Sequence, residues 1–248
     1  QEIHLEVCRQ KLLSKNIRVG NALVDMYAKC GLLSEAQKVF NRLIDKNEHS
    51  WTSLIHGHVQ YGKPKLALNL YEEMQEHGVD SSSFTLVALL KAFSQLKDID
   101  CGREIHSQIA HKGFDREDSV GSMLVNLYAK CGSLLEAQML FEKLPVRSVI
   151  PWTSLITRYV DNGFIQEALS LLEAMEGDGI ALVSITFVCI FRACGYERGA
   201  LGTGQEMHSL ALKMGLEMDE SVGTSLIDMY SKCGSFLEAW VVLSQLPN

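Results

Sequence analysis

Basic charge is in short supply. The 248-residue chain carries 23 Lys and Arg against 30 Asp and Glu, a net charge of −7. That excludes a simple basic coat for nucleic acid, though not a narrow local groove. Proline is scarcer still, at 4, and no stretch alternates apolar and polar residues for long, so a loop-rich β architecture is excluded. No run of about 18 apolar residues passes without a charge or a turn signal, so no membrane span is expected. The seven cysteines include no Cys-x-x-Cys pair. An odd number over this length suggests no disulfide framework, and reduced thiols of a cytosol-like or organellar interior fit better. No signal or transit peptide is visible. A Gly-rich phosphate loop, a nucleophile elbow and a paired-carboxylate motif are missing as well. The expectation is therefore no enzyme, no cofactor and no small-molecule substrate.

What the chain does have is apolar content, 47%, enough to bury a core, and self-similarity. NALVDMYAKCG occupies 21–31, SMLVNLYAKCG 122–132 and TSLIDMYSKCG 224–234, at offsets of 101 and 102. WTSLI begins at Trp51 and again at Trp152, and three related tetrapeptides end at His4, His106 and His208. Between 21–44 and 122–145, 13 of 24 residues are identical. The chain begins at Gln1 and stops at Asn248 in mid-pattern, and so reads as part of a longer protein.

The long period divides into three helix-turn-helix units of roughly 31, 35 and 35 residues. In the unit 48–82, a first helix near 51–61 sets Leu54, Ile55 and Val59 on one stripe and Thr52, His56 and Gln60 on another. Gly62 breaks it. A second helix near 65–77 places Leu66, Leu70 and Met74 at i, i+4 and i+8, and Gly78 ends it. About 15 helices are expected, in antiparallel pairs that bury their apolar faces only against neighbours. Open ends of such an array expose apolar surface and favour self-association.

The 31/35/35 cycle together with YAKCG, SWTSLI and GREIH resembles plant pentatricopeptide repeat proteins of the PLS subclass, over the whole chain. The resemblance implies an all-α, right-handed superhelical solenoid. Its register gives a partial L unit at 1–16, then S, P and L units at 17–47, 48–82 and 83–117. A second set follows at 118–148, 149–183 and 184–219, and a truncated S unit at 220–248. The implied function is sequence-specific binding of single-stranded RNA, one base per repeat. The setting would be a mitochondrion or chloroplast, the target an organellar transcript and the purpose C-to-U editing. Editing accessory proteins or a deaminase domain outside this chain would be the other partners.

In that family one base reader is the fifth residue of a unit and the other is its last. Here the pairs are Asn21 with Asn47, Thr52 with Ser82, Val87 with Glu117, Ser122 with Ser148, Thr153 with Val183 and Val188 with Asp219, followed by Thr224 alone. An Asn amide both donates and accepts, and the resemblance implies that Asn21/Asn47 favours a pyrimidine. Thr52, Ser122, Thr153 and Thr224 lean toward purines, while the Val pairs imply no reading. Ser82, Ser148 and Val183 depart from the usual Asn or Asp. The implied site is pyrimidine-purine-any-purine-purine-any-purine, 5′ to 3′. Residue two of each unit would pack on the bases: Arg18, His49, Phe84, Ser119, Ile150, Ile185 and Ser221, with Phe84 and the isoleucines filling most space.

Each feature also has a plainer reading. Thr52 and Thr153 follow a Trp at a helix start, where Thr can cap the helix, and Asn21 can do the same. The recurring His4, His106, His208 and Cys30, Cys131, Cys233 suggest packing rather than metal binding, because copies about 101 residues apart cannot converge on one ion. His4-Leu5-Glu6 matches the H-x-E of zinc deaminases, but Cys189 and Cys194 do not make the required P-C-x-x-C. Trp51, Trp152 and Trp240 read as core. The scattered Lys and Arg read mostly as solvated faces, which predicts a shallow salt dependence. The competing function is a helical-repeat scaffold for protein–protein interaction.

Overall fold

The structure, a computed structural model, describes residues 16–196, 199–216 and 218–246. The partial unit at the start, His4 included, lies outside them except for Asn16. The described residues contain fourteen α-helices, one 3₁₀ turn and no strand. They fall in two compact bodies, Gln1–Cys131 and Gly132–Asn248.

The first body holds α1 (Ile17–Lys29), α2 (Leu33–Asn41), α3 (Glu48–Gln60), α4 (Pro64–Glu76), α5 (Ser83–Leu96), α6 (Ile99–Lys112) and α7 (Asp118–Lys130). Helices α1, α3, α5 and α7 pack in series, and each of the first three also packs against the helix that follows it. The second body holds α8 (Leu134–Lys143), α9 (Val149–Asp161), α10 (Ile165–Gly177), α11 (Ser184–Tyr196), α12 (Leu201–Lys213), α13 (Glu220–Lys232) and α14 (Phe236–Gln245). Here α9, α11 and α13 form the series, paired with α10, α12 and α14.

The first helix of the unit 48–82 starts three residues before the expected position, and the reason is its cap. Asn47 has extended backbone, and its side-chain oxygen accepts the Ser50 N–H at 3.1 Å. In return the Ser50 hydroxyl donates to the Asn47 carbonyl at 2.8 Å. The helix start leaves backbone donors without internal partners, and this reciprocal arrangement satisfies one of them. Pro64 opens α4, where a missing N–H costs nothing.

Close packing depends on small residues at two points. A Cβ on Gly57 of α3 would come within 2.8 Å of the Ala28 Cβ on α1. Gly31 turns the chain after α1 at a φ of +74°, and a Cβ there would meet the Tyr61 ring at 2.8 Å. Tyr61 uses its hydroxyl to close the end of α1, donating to the Lys29 carbonyl at 2.6 Å.

Aromatic edges join successive units. Phe40 of α2 meets Trp51 of α3 edge to face with centroids 4.6 Å apart, and Phe141 of α8 meets Trp152 of α9 at the same distance. Trp51 and Trp152 are 1% and 2% exposed. Trp240 overturns the expectation that it belongs to the core, being 69% exposed. It sits on α14, a second helix, at the register position that holds Gln37 in α2 and Gln138 in α8. Its face, with Phe236 and Leu237, is uncovered among the described residues. Trp152→Ala should therefore lower unfolding stability by about 3–5 kcal/mol. Trp240→Gln should change it by no more than about 0.5 kcal/mol, both measured by urea titration.

Candidate nucleic-acid interface

The candidate residues lie on the first helices of the units. None of Asn21, Thr52 and Thr153 is a helix cap. Those roles belong to Asn16, Asn47 and Ser148, at the helix starts. The three residues sit one turn inside α1, α3 and α9 instead.

The last residue of a unit occupies the N-cap of the next first helix. Asn47, Ser82 and Asp219 each accept backbone N–H groups there. Ser148 holds the same position without that bond. Two residues beyond Val149, where Asn47 meets the amide of Ser50, stands Pro151, which has no N–H. Val183 has no polar side chain, and Thr186 compensates by accepting the Val183 N–H on its hydroxyl at 3.3 Å.

Because Asn47 caps α3, which packs beside α1, and Ser82 caps α5, which packs beside α3, these pairs can meet. Asn21 Nδ2 donates to Asn47 Oδ1 at 3.1 Å, the oxygen that also takes the Ser50 N–H. Asn47 is exposed, whereas Asn21 is only 7% exposed, and its Oδ1 has no partner among the described residues. Ser122 is as deep, at 4%. It lies on α7 in the first body and Ser148 in the second, so that pair is divided between the two. Thr153 donates to the Val149 carbonyl at 2.9 Å and Thr224 to the Glu220 carbonyl at 2.7 Å. Both keep oxygen lone pairs free to accept. In the unit of the Val188/Asp219 pair, Ser184 donates to Asp219 Oδ2 at 2.9 Å. The hydroxyls of Ser221 and Ser184 and the Val222 amide hold the Asp219 carboxyl below its usual range.

Thr52 and Ser82 meet through a third residue that the sequence did not single out. The Thr52 hydroxyl donates to Glu48 Oε1 at 2.8 Å, and the hydroxyls of Ser82 and Thr85 donate to the same oxygen. Burial works against charge on Glu48, yet these hydroxyls and the nearby His49 outweigh it and lower the carboxyl's pKa. The available signal was the spacing Asn47-x-x-Ser50 and Ser82-x-x-Thr85, which marks two helix starts.

Above this cluster a half-open pocket of about 360 Å³ lies between α1, α3 and α5. It is lined by His49 and Phe84, by Thr52 and Val87, and by Glu48 and His56, among others. Residues two and five of two consecutive units thus surround one space. The polar stripe Thr52, His56, Gln60 lines it throughout. Phe84 is 77% exposed, and Ile150 and Ile185 are each 49% exposed. Arg18, His49, Ser119 and Ser221 are also exposed. Burial and the nearby Lys91 push the His56 pKa down.

Three cations on the first helices are paired with aspartates. Lys29 pairs with Asp25 at 2.8 Å, Lys232 with Asp228 at 2.6 Å and Arg192 with Asp161 at 2.7 Å. The described members of the histidine recurrence pack on tyrosines: His106 meets the Tyr128 hydroxyl and His208 the Tyr230 hydroxyl, each at 2.9 Å. Cys30, Cys131 and Cys233 stand at helix C-termini. No metal-holding cluster and no helix able to cross a membrane occur among the described residues.

The PPR repeat family model matches residues 46–95, and the PPR repeat model matches 21–48, 122–149, 150–180 and 224–247. The chain belongs to the pentatricopeptide repeat family. A pentatricopeptide repeat-containing protein of Arabidopsis thaliana is 38% identical over 99% of this chain and 25% of its own length. Two more from that plant, named as mitochondrial and chloroplastic, are 36% and 33% identical, with 24% and 40% of their lengths covered. The chain thus spans between a quarter and two-fifths of these relatives. The crystal structure of PPR10 from maize superposes with a TM-score of 0.65 at 18% identity, covering 94% of this chain and 35% of that one. PPR10 in complex with an 18-nt psaJ RNA element gives 0.62 at 18% identity, covering 90% and 32%. These likenesses show an all-α helical-repeat fold.

The lowered Glu48 pKa has a consequence for stability. Its contribution is complete above the ordinary carboxylate value and is lost as pH falls through the lowered one. Glu48→Gln should flatten the acid limb of the stability–pH curve, measured by urea titration from about pH 6 to pH 3.

Proposed function

We propose that this chain is an RNA-specificity module. It binds single-stranded RNA along the first-helix face, one base per repeat, within an organellar transcript-processing factor of the PLS subclass. The observation that carries the reading is the pocket between α1, α3 and α5. Residues two of consecutive units, His49 and Phe84, flank a space whose lining includes the fifth residue Thr52. Apolar or aromatic side chains there stack on base faces, worth about 1–3 kcal/mol per base whatever the sequence. The polar pairs read the edge. Support also comes from a structural neighbour described in complex with RNA and from relatives named as mitochondrial or chloroplastic. On this reading the chain selects the transcript, and C-to-U editing is performed by a deaminase domain or accessory proteins outside it.

The test is selection of ligands from a random single-stranded RNA pool. A motif of about seven nucleotides should enrich, in the order pyrimidine-purine-any-purine-purine-any-purine. Thr153→Asn should move one purine position toward pyrimidine and leave the others unchanged. No enrichment by a chain that circular dichroism shows to be folded would favour the protein-scaffold reading instead. Because Lys29, Arg192 and Lys232 are paired with aspartates, the slope of log affinity against log salt should stay below about 3 in magnitude. Neutralising seven phosphates of a single strand would give about 5.

A further inference from the structure

The pair Thr52/Ser82 lacks the amide or carboxylate at its second position that would choose a base. We infer that Glu48, the first residue of that unit, supplies the missing choice and selects guanine through acceptor atoms. This deepens the RNA-binding reading and rests on it.

The hydroxyl hydrogens of the site are already committed. Ser82, Thr52 and Thr85 each have one, and all three oxygens lie within hydrogen-bond reach of Glu48 Oε1. The oxygens of Thr52 and Thr85 are 2.6 Å apart, so any hydrogen not given to the carboxylate is shared between them. What remains to face a ligand is the hydroxyl lone pairs and the second carboxylate oxygen, to which none of the described residues donates. A hydroxyl can ordinarily donate or accept as its partner requires. Here the carboxylate removes that freedom, and this wall of the pocket, Glu48 with its three hydroxyls, only accepts.

The four bases respond differently to such a wall. Guanine presents two neighbouring donors on its pairing edge, N1–H and N2–H₂. Adenine sets one donor beside the bare N1 acceptor. Cytosine sets one donor beside two acceptors, and uracil one donor between two. Only guanine places adjacent N–H groups against adjacent acceptor oxygens. Each other base leaves an acceptor facing an acceptor, which costs the desolvation of both groups without a bond. The geometry allows the approach, since Glu48 and Thr52 line the pocket that His49 and Phe84 flank. The unit 149–183 provides an internal contrast: Thr153 donates to the carbonyls of Val149 and Ile150, with no carboxylate among those partners. That unit also begins with Val149 rather than an acid.

The experiment is selection from the same random RNA pool with the unaltered chain, Glu48→Gln and, as a control, Glu72→Gln. Affinities of four RNAs of the enriched sequence, differing only at the nucleotide that Glu48→Gln alters, are then measured by fluorescence anisotropy. The unaltered chain should prefer guanine over adenine about tenfold at that nucleotide. Glu48→Gln, whose amide adds a donor, should bring the preference within about twofold while the rest of the motif stands. Glu72→Gln, which removes an exposed acid outside the pocket, should leave the preference unchanged. The inference alone is overturned, and RNA binding kept, by any of three results. These are a base other than guanine at the nucleotide, a guanine preference untouched by Glu48→Gln, or all four RNAs weakened alike by it. If the folded, unaltered chain enriches no RNA, the RNA-binding reading fails and the inference fails with it.

Discussion

The first helices begin with backbone N–H groups that have no partner inside the helix, and in α1, α3, α5 and α13 the side chain that answers them belongs to the preceding unit. Asn47, Ser82 and Asp219 do this directly, and around Val183 the hydroxyl of Thr186 takes over part of the task. Much else depends on this constraint. It favours short oxygen-bearing side chains at the last residue of a unit, as at Asn47, Ser82, Ser148 and Asp219. It sets where each helix starts, and so which residues fall one turn in. It also holds Asn47 beside Asn21 and brings Ser82 and Thr52 to one Glu48 oxygen, across the contacts of α1 with α3 and of α3 with α5. Asn47 shows both uses at once, taking the Ser50 amide and the Asn21 amide on a single oxygen.

The same constraint explains why the candidate sites are unlike one another although the repeats are alike. Where the capping oxygen and a nearby acid share hydroxyl donors, as at Glu48, the site becomes a fixed acceptor surface. Where proline replaces the residue whose amide would be capped, as at Pro151, the cap bond is lost and Thr153 turns to its own helix. Where the last residue is Asp219, the carboxylate is held by Ser184, Ser221 and the Val222 amide. Differences of one or two residues per unit change which hydrogen-bonding groups face outward while the packing of the helices is kept.

Charge is arranged on the same local scale. A net charge of −7 would oppose a polyanion if the charges acted at a distance. Instead Lys29, Arg192 and Lys232 on the first helices are tied to aspartates a turn away or on the neighbouring helix. At physiological ionic strength such pairs are close to neutral beyond about 8 Å. Recognition through base faces and edges is less sensitive to that balance than recognition through phosphates.

Helical class and family membership could be read from the chain alone, because periodicity of 3.6 and recurrence of YAKCG and WTSLI are local properties that tertiary context seldom reverses. So could the packing role of His106 and His208, whose spacing is incompatible with a shared ion. Other features depended on the stack. The position of the helix start at Glu48 rests on a reciprocal cap that an estimate from apolar stripes placed three residues late. The exposure of Trp240 follows from which helix carries it, and no apolar pattern distinguishes it from Trp51. The convergence on Glu48 joins residues 34 and 37 positions away. Sequence spacing within one helix determines which side chains share a face. Only the packing of α3 against α5 decides which faces meet, because that contact is set by side-chain volume and by capping between units rather than by any interval along the chain.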